Sequence, residues 1–278
     1  MKNFIISILA IFTLNTSLNA QGIKTPAPSP TQTIKQDFAL SSIEVVYSRP
    51  NIRGRVVFGD LAPFGKLWRT GANAATRVTF GEDVKVGGVA LKAGTYVLYT
   101  IPNKDEWEVI FNKGLNNWGI DGYKAEEDVA KFKVKPIALA NSVETFTIEI
   151  ANLTASSADL EISWEKTAIA IPVTADIDGK ITKAIETALA VDSRPYFQAA
   201  SYYFETGKDL NKALAWADKA VEQTPKAFWI MHLKAKIQAK LGNKAVAIET
   251  AKKSIELAKE ANNMDYVALN EKLIASMK

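Results

Sequence analysis

"VKVGGVAL", Val84–Leu91, sets two short alternating apolar runs on either side of a glycine pair. A two-residue hairpin needs positive φ at both central positions, and Gly87 and Gly88 supply it, so the chain turns back on itself as antiparallel strands. The same texture continues outward. Trp107/Val109/Phe111, Phe146/Ile148/Ile150 and Leu160/Ile162/Trp164 each place one apolar row on a single face, because side chains alternate along a strand. Short runs at Ile43–Tyr47, Val56–Phe58, Arg77–Phe80, Thr95–Ile101 and Ala168–Val173 complete the pattern. Eight or nine strands joined by Gly, Pro and Asn turns predict an antiparallel β-sandwich or partly closed barrel over residues 38–175.

The flanks read differently. Lys2, an apolar run from Phe4 to Leu14 and a small residue at Ala20 predict a signal peptide over residues 1–20. That run is about half the length a membrane-spanning helix needs. The expectation is a protein exported to the periplasm or beyond, with no membrane insertion after cleavage. Residues 21–37 carry Pro26, Pro28 and Pro30 and little to bury, and are expected to form a Pro-rich linker.

Near Asp176 the period changes, and helix formers dominate residues 176–278. Pro195 and Pro225 stand where helices would begin, Gly207 and Gly242 where they would stop. Ala213 and Ala220 recur 34 residues on as Ala247 and Ser254. This half resembles the tetratricopeptide family, whose small residues let paired helices cross closely. A helix at 180–190 and a last one from about Asp265 to Ser276 would cap the stack. The resemblance implies multidomain organisation, β then α, with a helical-repeat surface for a protein or peptide.

Composition excludes several chemistries. There are no cysteines and one histidine, His232, which removes disulfides, thiolate metal sites, Cys-His catalysis and the Ser-His-Asp triad unless His232 serves it. His232 falls inside a predicted helix and reads as an ordinary helix residue. No phosphate-loop or dinucleotide fingerprint is present, and neither a cofactor nor a metal is expected. After residues 1–20 the chain carries 33 basic and 30 acidic groups, too even a balance to favour nucleic acid. Carboxylates are the remaining acid–base candidates, with Glu106 and Glu108 on a strand and Asp121 in "IDGYKAEEDV". A glycosidase would need two of them 5 to 10 Å apart. The plainer reading is the wet face of a strand and a solvated turn.

The cations differ in kind along the chain. Five of the six arginines lie between Arg49 and Arg77, while the C-terminal half relies on lysine. "SRPNIRGRVVFGDLAPFGKLWRTGAN", Ser48–Asn73, holds four arginines, Lys66, four glycines and two prolines against one acid, Asp60. Glycine-shaped loops aim N–H groups inward, and guanidinium forks beside them suit carboxylate, sulfate or phosphate. The structural alternative is that the arginines bind internal carbonyls and acids and stitch a loop to the sheet. Trp68 beside Arg69, and Trp118 and Tyr123 in "LNNWGIDGYK", would add flat faces for a sugar or peptide, or would simply close the sandwich ends.

These residues also carry a resemblance. "YSRPNIRGRVVFGDLAPFGKLWRTGANAATRVTF", "AGTYVLYTIP" and "EWEVIFNKGLNNWG" are similar to the motifs of bacterial exported proteins grouped as domain of unknown function 2911, over about residues 38–173. Arg49, Arg55, Lys66, Trp68, Arg69 and Asn73 fall on motif positions. The family has no assigned reaction, so the resemblance implies domain limits rather than a function. Three function classes remain at the sequence level. The first is an exported binding protein with those six residues as an anion or acidic-glycan site. The others are a carboxylate-dependent glycan hydrolase using acids such as Glu108 and Asp121, and a structural envelope protein.

Overall fold

The computed structural model describes residues 25–190 and 195–277. The expected signal peptide lies outside the described residues. The chain divides between Ala175 and Asp176 into two compact units.

The first unit holds two antiparallel sheets that are not closed into a barrel. Its strands are β1 (Thr31–Phe38), β2 (Ser41–Ser48), β3 (Thr76–Phe80), β4 (Val84–Val86), β5 (Val89–Leu91), β6 (Gly94–Ile101), β7 (Trp107–Asn112), β8 (Asp128–Val134), β9 (Ile137–Ala151) and β10 (Ser157–Thr174). One sheet runs β1-β2-β3-β6-β7-β8 and the other β5-β4-β10-β9. The glycine pair makes the predicted hairpin, with Gly87 at φ 54° and Gly88 at φ 84° and Val86 paired with Val89. The three apolar rows face inward: Trp107, Val109, Phe111, Phe146, Ile148, Leu160, Ile162 and Trp164 are all buried.

Three expectations change. The Pro-rich linker does not run to residue 37, because β1 begins at Thr31 and pairs along its whole length with β2. Residues 56–58 form no strand, only an isolated bridge from Phe58 to Ala62, with Val56 57% exposed where a strand between sheets would bury it. β8, not foreseen, adds an edge strand beside β7, its Lys131 and Lys133 opposite Ile110 and Glu108.

Between the sheets lies an aromatic cluster of Phe58, Trp68, Trp107, Phe146 and Trp164, with Trp68 and Trp164 stacked at 5.9 Å and most other pairs edge-on. A smaller core forms around Ala75, Val97, Tyr99 and Ile110, against which Leu67, Ile101 and Tyr123 pack. Sheet strands β6 and β7 are therefore buried on both faces over most of their length. Two connections contribute to this second core: Pro50–Ala75, which contains most of the arginine-rich stretch, and Lys113–Lys124.

In the second unit the described residues form six helices: α1 (Asp178–Ala190), α2 (Tyr196–Glu205), α3 (Leu210–Gln223), α4 (Phe228–Lys240), α5 (Lys244–Glu260) and α6 (Met264–Met277). From α2 onward each helix packs on its successor. The recurring small residues face the packed interior: Ala213, Ala220, Ala247 and Ser254 are all fully or almost fully buried. Gly207 (φ 69°) and Gly242 (φ 87°) end α2 and α4 in the left-handed conformation that glycine adopts without strain. His232 links helices: its Nδ1 meets Asn270 Oδ1 at 2.8 Å, Asn270 Nδ2 donates to Ser254 Oγ at 2.9 Å, and Ser254 Oγ donates to the Phe228 carbonyl at 2.7 Å. Because an amide oxygen only accepts, Nδ1 is the protonated nitrogen.

Candidate functional site

The arginine-rich stretch divides into two parts with different partners. Its first part is a clasp on β9, which pairs only with β10 and so has a free edge. Ile52 N donates to the Glu144 carbonyl and Phe146 N to the Pro50 carbonyl, both at 2.9 Å. Arg49 Nε donates to the Phe146 carbonyl at 3.1 Å and Nη2 to Thr147 Oγ1 at 2.9 Å. One residue pair further on, Tyr47 Oη accepts from Ile148 N at 3.0 Å and donates to Gln32 Oε1 at 2.8 Å. An unpaired edge is a template for aggregation, and these contacts cover it.

The same segment holds the chain that precedes β1. Arg53 Nη2 donates to the Pro28 carbonyl at 3.2 Å, Asn73 Nδ2 to the Ser29 carbonyl at 3.2 Å, and Arg49 N to the Pro30 carbonyl at 2.9 Å. Arg55 is locally engaged, with Nε on the Ile52 carbonyl at 2.9 Å and Nη2 on the Asn51 carbonyl at 2.7 Å. Among the described residues none of these arginine side chains forms an ion pair with a carboxylate; they bind carbonyls and a hydroxyl.

The second part is pinned to β6. Trp68 N donates to the Thr100 carbonyl at 2.8 Å and Thr100 N returns to the Trp68 carbonyl at 3.0 Å. The chain then turns sharply, with Thr70 (φ 52°) and Asn73 (φ 58°) left-handed and Gly71 at φ 148°. Gly71 brings its carbonyl to Trp68 Nε1 at 3.1 Å, and a β-carbon there would crowd the Ser48 carbonyl at 3.1 Å. The turn fixes Trp68 in the aromatic cluster and leaves Arg69 beside it.

A cavity of about 630 Å³ opens at this turn. Arg55, Lys66, Trp68, Arg69 and Asn73 line it together, with Leu61, Ile120 and Trp164 among the apolar walls and Ser29 from the segment before β1. No acidic residue lines it. Arg69 Nε is buried and has no hydrogen-bond partner among the described residues. A buried donor without a partner costs about 1 to 3 kcal/mol, so its retention calls for an account. Five of the six residues expected at the site thus share one cavity. Arg49 does not; it lines a separate slot of about 290 Å³ between β1, β2 and β9.

The aromatic expectations divide too. Trp68 is buried at 8% exposure and serves the core more than a platform. Tyr123 packs edge-on against Tyr99 at 5.2 Å and donates to Asp128 Oδ2 at 2.8 Å. Burial, and then the bond to Asp128, push its hydroxyl well above the ordinary tyrosine range. Trp118 stands out, 66% exposed, in the loop whose Leu115 carbonyl accepts from Arg77 Nη2 at 2.8 Å. Nothing in the sequence placed Ile120, from that loop, in the cavity beside Arg69.

Of the acid candidates, Glu108 pairs with Lys131 at 2.6 Å and Glu106 with Lys133 at 2.8 Å. Both acids line a shallow cleft of about 480 Å³ with Asp105 and Phe64; Asp121 is not among its lining residues. Among the described residues no group of three or more His, Cys, Asp or Glu could hold a metal ion. No helix there is long and apolar enough to cross a membrane.

A family model described as "Protein of unknown function (DUF2911)" matches residues 29–173, more than half of the chain. The chain belongs to that family. The match starts at Ser29, nine residues before the limit expected from the motifs, and so takes in β1 and the serine that lines the cavity. Neither the curated proteins nor the solved structures contain a match to this chain.

Proposed function

We propose that this member of the DUF2911 family is an exported binding protein whose β unit takes an organic anion, a carboxylate or an acidic glycan, in the cavity at Arg69. The observation that carries the reading is the pairing of a buried, unpartnered Arg69 Nε with a wall that holds Arg55 and Lys66 and no acid. A ligand carboxylate would supply the missing acceptor, and charge-assisted bonds of this kind are about twice as strong as neutral ones. Lys66 would add a point charge, and Arg55, with Nε and Nη2 already engaged, would contribute chiefly through its field.

Export rests on the pattern of residues 1–20. The helical unit is read as tetratricopeptide-like hairpins that offer a surface to a protein or peptide. The recurrence of buried small residues 34 positions apart supports that reading.

The test is titration of the full mature chain with acetate, 3-phenylpropionate, sulfate and trigalacturonate, followed by tryptophan fluorescence, since Trp68 and Trp164 both line the cavity. At least one of these anions should bind to the wild type, and Arg69→Ala should weaken it tenfold or more. Failure of all four to bind, or equal binding by Arg69→Ala, would remove the site.

A further inference from the structure

The anion reading leaves the ligand's body open, and the cavity wall narrows it. We infer that the occupant is an amphipathic monocarboxylate: one carboxylate head on an apolar body of aliphatic or aryl carbon. The inference rests on the anion reading above and adds the chemistry of everything beyond the head.

Three observations carry it. First, the wall is poor in groups that satisfy hydroxyls. A sugar hydroxyl donates as well as accepts, so a bound glycan needs side-chain acceptors along its length. The lining has no Asp, Glu, Gln or His, and its polar neutral side chains are Asn73 and Ser29. With Asn73 Nδ2 donating to the Ser29 carbonyl at 3.2 Å and to Ser48 Oγ at 3.3 Å, the side-chain acceptors that remain are Asn73 Oδ1 and Ser29 Oγ. A glycan carries more hydroxyls than these two acceptors can serve, and each hydroxyl buried without an acceptor is costly.

Second, apolar side chains share the wall with the cations. Pro63 and Leu67 line it, while Trp68 and Trp164, stacked on each other at 5.9 Å and buried, offer it only the little surface the core leaves open. At the rim Leu61 is 37% and Ile120 47% exposed, large apolar side chains that a hydrophobic body would cover. Removing such surface from water is worth about 25 cal/mol per Å².

Third, the size is wrong for an inorganic anion. A cavity of about 630 Å³ lies in the range of small organic ligands. Sulfate or acetate would engage Arg69 and leave the carbon walls wet.

The probes are therefore 3-phenylpropionate, its neutral counterpart 3-phenylpropanol, acetate and trigalacturonate, each titrated into the full mature chain by calorimetry. The expected order is 3-phenylpropionate at least tenfold tighter than each of the other three. Ile120→Ser should weaken 3-phenylpropionate severalfold and leave acetate unchanged, whereas Arg69→Ala should weaken both. If trigalacturonate or acetate binds as tightly as 3-phenylpropionate, the apolar body is wrong while the anion site stands. If 3-phenylpropanol binds as tightly as the acid and Arg69→Ala binds the acid normally, the anion site itself falls, and the amphipathic assignment with it. If none of the four binds, the amphipathic assignment is overturned, and the anion site falls with it when sulfate fails to bind as well.

Discussion

The Arg69 guanidinium rests on Gly119, where a β-carbon would stand 2.9 Å from Nη1. Gly119 also sits at φ 66°, so alanine there meets both backbone strain and the arginine. Gly119→Ala should displace Arg69 and weaken 3-phenylpropionate severalfold. Gly88→Ala is the control, since its φ is also positive, at 84°, but its β-carbon meets open space. It should lower the melting temperature without changing affinity.

Arg49 and Arg53 both tie the stretch to its own domain, but their contacts differ in weight. Arg49→Ala strips the Phe146 carbonyl and the Thr147 hydroxyl of partners and uncovers the β9 edge, at a cost of about 1 to 3 kcal/mol. Arg53 has an exposed side chain with a 3.2 Å bond to Pro28 and a left-handed backbone, φ 52°. Arg53→Ala should cost about 0.5 kcal/mol or less, as surface substitutions usually do. Thermal melts of the two variants would show a drop of several degrees for the first and little change for the second.

The sequence carried the sheet through its apolar rows and its glycine pair, because both are local signals. Edge strands were harder. β1 reads "TQTIKQDF", with only Ile34 and Phe38 apolar, and its burial alternates only between exposed and half-buried until Phe38. β8 reads "DVAKFKV" and keeps Lys131 and Lys133 in solvent. Val56–Phe58 had strand composition, but Gly54 and Gly59 flank it in left-handed conformations and bend the chain. The cations and glycines of Ser48–Asn73 marked a candidate site. The departure of Arg49 to Phe146, 97 positions away, and the arrival of Ile120 could not be read, since long-range pairing leaves no local pattern.

The segment before β1 should be cut by protease ahead of Pro28 rather than along residues 28–37. Three consecutive carbonyls, Pro28, Ser29 and Pro30, are held by Arg53, Asn73 and Arg49, and β1 follows at once. Limited proteolysis with mass analysis should return a core starting between residues 21 and 28. A first cut between Thr31 and Phe38 would contradict the strand.

His232 makes the helical unit sensitive to acid. Burial holds its imidazole below the usual histidine value; the Asn270 bond opposes this in part, and the charge of Lys236 adds a smaller lowering. A base whose folded pKa is depressed favours folding while it is neutral. That stability is present above about pH 6.5, the unfolded value, and is lost as pH falls through the folded value. Helical melts from pH 7.5 to 5 should decline more steeply in the wild type than in His232→Gln. Parallel slopes would show that His232 does not carry the effect.

Arg69 Nε–H has no acceptor of its own and would take one from a ligand, and arginine side-chain Nε–H resonances report that bond. On titration of the ¹⁵N-labelled mature chain with 3-phenylpropionate, the Arg69 Nε–H signal, assigned through Arg69→Lys, should shift and saturate. Arg49 Nε–H, already bound to the Phe146 carbonyl, should stay in place. An Arg69 signal that does not move at saturating 3-phenylpropionate, acetate, sulfate or trigalacturonate would mean that Arg69 holds no anion.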